Sequence, residues 1–174
     1  MNSPSKLRFI KFLIALSVFT LMSTLLVSKY GVTTGLYIAL LIWSLYILSI
    51  PAAHGMIIFG TPIHLFRHKP FFTQPFVWVG AFILNAITVI FSPTIYVLTI
   101  PTHLLLCMIE TPSCWLVFIF SALGTMYPVL IGNEKFYANK YLHTLIYHII
   151  KLVALLAFVY YAHPELVIIL NTLS

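Results

Sequence analysis

Charge is scarce in this chain. Of its 174 residues, 7% are Asp, Glu, Lys or Arg, whereas soluble domains carry about a quarter. That leaves too little polar surface for a water-soluble fold. Acids are the rarest, three against nine Lys or Arg. Glu110 is a lone carboxylate that makes no acid–base pair, and Glu134 sits in the polar loop GNEKFYANK. Cysteine is limited to Cys107 and Cys114. Two cysteines at that spacing exclude a disulfide framework and a CxxC redox motif. A Gly-rich phosphate loop, a GxSxG elbow and an HExxH helix are all missing. No internal repeat or low-complexity tract divides the chain, so it reads as a single domain.

What the chain has is apolar length. Apolar residues make up 61% of it and the mean hydropathy is +1.07. They fall in runs that approach the roughly 20 residues needed to cross a bilayer as a helix. The runs do not alternate polar with apolar, which argues against a transmembrane barrel. The fold class expected is all-α: a polytopic transmembrane helix bundle of about five spans. The candidate spans are 9–28, 32–54, 76–100, 115–131 and 142–162.

The punctuation between the runs is informative. The first run follows Lys6 and Arg8 and lacks an A-x-A site, so it reads as an uncleaved span rather than a signal peptide. SKYG (Ser28 to Gly31) forms a hinge to the second span, whose end Pro51 loosens. Thr61 can cap a helix, Pro62 fits its first turn and Pro70 stops it. His64, Arg67 and His68 then share one face and Ile63 and Phe66 another, which predicts a short amphipathic helix at the interface over 62–69. The third run contains Asn85, Thr88, Ser92 and Pro93. It is either one kinked span or a hairpin turning at Ser92-Pro93-Thr94. The segment PTHLLLCMIETPSC (101–114) is bounded by prolines and too short to cross.

Charge orients the threading. With five spans, Lys6, Arg8, Lys11, Arg67, Lys69, Lys135 and Lys140 collect on one side and Lys29 stands alone on the other, as the positive-inside rule requires. The expected placement is a bacterial inner membrane with the N-terminus cytoplasmic and the C-terminus outside, an organelle membrane being the alternative. The formal charge of +6 then meets anionic headgroups. The basic residues are not interleaved with a stacking platform, which argues against nucleic acid. The expected partners are the lipid bilayer and other membrane subunits.

Seven histidines outnumber the acids. His54, His64, His68, His143 and His148 fall toward the cytoplasmic side and could ligate iron, zinc or haem, for which imidazole is a common ligand. The HxxxH at 64 and 68 and the HxxxxH at 143 and 148 resemble the spacing of membrane di-iron desaturases and hydroxylases, but the HxxHH boxes of those proteins do not occur. On a regular helix His143 and His148 lie about 140° apart, and Arg67 shares the face of His64 and His68. The interfacial polar face is therefore the favoured reading of the 64–68 pair. For haem, His54 and His148 on two helices are the best-matched pair.

Lys151 is the costliest residue. At the middle of a span its charge costs at least about 2.5–3.5 kcal/mol. Either it snorkels to the cytoplasmic headgroups while PELVIIL finishes the crossing, or it faces a polar pocket near Asn85, Thr88 and Tyr147. Cys107 and Cys114 fall outside the membrane in this threading, where an oxidising compartment could join them or leave them free. Small residues at Gly31, Gly35, Ser121, Ala122, Gly124 and Thr125 permit close helix packing. Three functions fit. The favoured one is a non-catalytic subunit or interaction protein of a membrane complex. The others are a His-ligated haem or metal oxidoreductase and a small transporter or channel component using Lys151 and Asn85.

Overall fold

The computed structural model describes residues 4–49, 73–131 and 140–173. Among them every element is helical, in agreement with the all-α expectation. The order is α1 (Pro4–Tyr30), α2 (Val32–Ser49), α3 (Thr73–Phe91), a 3-10 turn (Pro93–Leu98), α4 (Ile100–Glu110), a 3-10 turn (Pro112–Cys114), α5 (Trp115–Ile131) and α6 (Lys140–Leu173). The interfacial helix expected over 62–69 lies outside the described residues, as do His54, His64 and His68.

Three of these helices are long and apolar enough to cross a membrane: Phe12–Tyr30, Val32–Ser49 and Tyr141–Asn171. A fourth crossing is available if the bent pair Ile100–Glu110 and Pro112–Tyr127 counts as one. The apolar part of α3, Pro75–Phe91, is shorter. This is the pattern of an integral membrane protein.

The first two helices form a hairpin around one residue. Gly31 has φ +83°, a left-handed conformation that glycine adopts without the steric penalty of a Cβ. Its N–H donates to the Val27 carbonyl at 2.9 Å and its own carbonyl accepts from Gly35 N–H at 2.8 Å. So tight a reversal presses α2 onto α1. A Cβ on Gly35 would stand 2.5 Å from the backbone of Val27. The small residues at 31 and 35 are what let the two backbones meet.

The third run breaks where proline disfavours the helical region for its predecessor. α3 ends at Phe91, Ser92 leaves the helical region at φ −150° and ψ 54°, and the chain continues as a 3-10 turn from Pro93. The third run is therefore not one continuous helix to residue 100. The 3-10 turn drives Tyr96 into the core, where it is fully buried. Thr99 then caps α4 by accepting from Thr102 N–H at 3.4 Å, with Pro101 in the first turn. α4 meets α5 at a bend of 98°. The Trp115 indole closes that corner by donating from Nε1 to the Ile109 carbonyl at 2.7 Å.

The last helix runs further than the span expected to end at 162. It continues through Pro164 to Leu173. A proline inside a helix removes one backbone hydrogen bond, but apolar helices in a membrane setting tolerate this when neighbours support the freed group. Ala154, Ala162 and Ile169 are buried along α6. Their spacing of eight and seven residues keeps them on one stripe.

Candidate functional site

Two features stand out: a buried polar knot and an apolar furrow beside it. The knot is built on α3. Asn85 lies one helical turn from Ala81 and Thr88 one turn from Leu84, so both side chains reach back to their own helix. Asn85 Nδ2 donates to the Ala81 carbonyl at 2.7 Å and to Ser44 Oγ of α2 at 2.8 Å. Its Oδ1 accepts from Tyr96 Oη at 2.8 Å. Both amide hydrogens and the carbonyl oxygen are therefore engaged. Ser44 in turn donates to the Leu41 carbonyl at 2.8 Å. Thr88 Oγ1 donates to Leu84 at 2.7 Å and lies 3.0 Å from Tyr37 Oη. Since the Thr88 proton is already given to Leu84, Tyr37 is the donor of that pair.

Thr102 of α4 ties on from the other side, donating to the Tyr96 carbonyl at 2.8 Å. Polar groups from α2, α3, the 3-10 turn and α4 thus form one network inside an apolar bundle. In such surroundings an unpaired polar group costs several times what a hydrogen bond contributes in water. The network fixes how these elements meet.

Lys151 is not part of this knot. Its ammonium lies over the Tyr147 ring of its own helix, 4.3 Å from the centroid, a cation–π geometry. Among the described residues no hydrogen bond joins it to Asn85 or Thr88. The described histidines are dispersed. His143 Nδ1 lies 3.0 Å from Tyr127 Oη, linking α6 to α5. His148 stacks obliquely beside Tyr147, with ring centroids 6.1 Å apart. Among the described residues no three His, Cys, Asp or Glu side chains gather as a metal would require. Cys107 and Cys114 are free thiols, the second buried.

The furrow lies between α3 and α5 and holds about 500 Å³. Trp78, Phe82 and Ile90 line it from α3, and Trp115, Phe118 and Met126 from α5. On each helix these positions recur at intervals that keep to one face. Trp78 and Phe82 stack with centroids 5.8 Å apart and planes 9° from parallel. Asn85 also touches the furrow, but its amide is committed to the knot, so the walls are chemically apolar. Among the described residues, the buried Ser49 Oγ and Trp78 Nε1 find no hydrogen-bond partner.

Sequence reasoning singled out Asn85 and Thr88 as polar residues in an apolar run but missed Tyr37, Ser44, Tyr96 and Thr102. Hydroxyls are common in apolar helices, and nothing in their spacing marks these four. The furrow was missed as well, because it exists only where two helix faces diverge.

No family model, curated protein or solved structure matches this chain.

Proposed function

We propose that the protein is a polytopic bundle of about five spans that serves as a non-catalytic subunit or interaction protein of a membrane complex. In this reading the spans are near 9–28, 32–54, 76–100, 115–131 and 142–162. The N-terminus is in the cytoplasm of a bacterial inner membrane and the C-terminus outside. The basic residues support that orientation, since only Lys29 falls on the outer side.

The observation that carries the reading is the apolar furrow between α3 and α5. It is walled by aromatic and aliphatic side chains, and its outer lip is open: Ile90 is 72% and Leu123 48% exposed. A furrow of this size and chemistry accepts the apolar side chains of another membrane helix. The polar residues beside it are spent on one another, so they do not offer free groups to a solute. α1 and α6 add uncovered apolar surface. Only 6% of each of their spanning windows is buried, against 44% for α2.

A photo-cross-linking residue at Leu123, and separately at Ile90, tests this in native membranes. The expected result is the same discrete protein adduct from both walls, lost when Ala122→Trp fills the furrow. Lipid adducts alone, or a protein adduct indifferent to Ala122→Trp, would overturn the reading.

A further inference from the structure

The position of one ammonium group on α6 bears on how deep that helix sits. The Lys151 side chain runs back along the helix, so its charge stands at the level of Tyr147, one turn nearer the N-terminal end. From that level to Glu165, the next charged residue, is 18 residues. At 1.5 Å per residue this is about 27 Å, close to the roughly 30 Å of a hydrocarbon core. No acid falls between Lys140 and Pro164. The segment free of charge therefore matches the core when Tyr147 lies at one boundary and Glu165 at the other.

The ring covers one side of the ammonium. Three N–H donors belong to that group, and among the described residues no oxygen accepts from it. A half-buried cation with no acceptor among the described residues calls for an anion from outside. At the depth just derived, the anion present is a lipid phosphate.

We propose that Lys151, backed by the Tyr147 ring, binds the phosphate of an anionic phospholipid at the cytoplasmic boundary. The proposal rests on the membrane reading above and adds the ligand. It takes the crossing of α6 as about 147–165, with the first turns of the helix in the headgroup layer. The Lys151 and Tyr147 side chains form the site, and the chain's net charge of +6 complements the ligand.

The test is native mass spectrometry of the purified full chain from micelles doped with equal phosphatidylglycerol and phosphatidylcholine. Wild type is expected to retain phosphatidylglycerol over phosphatidylcholine by about fivefold, the effect of one basic group near a charged surface. Lys151→Gln loses that preference and Lys151→Arg keeps it. Removing a charge from an apolar helix does not threaten insertion, so Lys151→Gln is a fair probe. An unchanged preference in Lys151→Gln overturns the site. So does displacement of the lipid by millimolar inorganic phosphate, which would make the ligand the free ion. Protein that inserts into vesicles yet shows no preference overturns the lipid site and leaves the membrane reading intact. Failure to insert overturns both.

Discussion

Asn85 shows how much one polar side chain can determine in an apolar setting. Its amide joins Ser44 of α2 and Tyr96 of the 3-10 turn to α3. Removing it leaves Ser44 only its bond to the Leu41 carbonyl and Tyr96 only a 3.3 Å contact to the carbonyl of residue 85. Asn85→Ala is expected to destabilise the protein by about 1–3 kcal/mol, measured as a lowered midpoint in detergent unfolding. Tyr96→Phe, which frees only the Asn85 oxygen, should cost less. Equal stability of Asn85→Ala and wild type would mean that the knot contributes nothing. Asn85 was conspicuous in the sequence because an amide in a run such as VGAFILNAITVIF must find partners. The partners were not legible. Ser44 lies 41 residues away and Tyr96 lies beyond a chain reversal. Lys151 makes the complementary point. Its need for relief was plain from the sequence, and Tyr147 four residues before it is a neighbour that helical spacing supplies. Asn85 and Thr88 were named as companions on polarity alone, and their hydrogen bonds lead elsewhere.

At the scale of elements, the joints carry most of the information. The α1–α2 hairpin was readable because Gly31 and Gly35 are small at a place where two runs must turn. The expected contact is there, with Gly35 against Val27. Gly35→Leu should force the helices apart and cost about 1–3 kcal/mol, the usual range for overpacking. The variant's unfolding midpoint in detergent should fall accordingly. An unchanged midpoint would show that the close approach is not needed. The break at Ser92-Pro93 was also legible, but the path beyond it was not. Proline announces that a helix stops, not where the next segment goes. Pro164 is the converse case, since α6 continues through it. Local chemistry favours a stop there, and the buried stripe through Ala162 and Ile169 packs the helix on either side of it.

For the whole molecule, composition pointed to the class: few charges and long apolar runs agree with an all-helical chain that has three helices long and apolar enough to cross a membrane. The number of crossings is harder, because helix length does not translate directly into a span. α4 and α5 are apolar yet bent by 98°, while α6, at 34 residues, is longer than a single crossing needs. An odd number of spans puts the termini on opposite faces. Reporter fusions should therefore show the C-terminus outside while a tag on the N-terminus stays in the cytoplasm. Termini on one face would require an even count and would move Lys135 and Lys140 across the membrane.

The single-residue turn at Gly31 also has a bearing on biogenesis. Two helices joined so closely share their turn, and no slack separates the end of the first from the start of the second. A peptidase that removed the first helix would strip the second of the backbone against which Gly35 is fitted, leaving a groove where a helix had been. α1 is in that sense a built-in companion of α2.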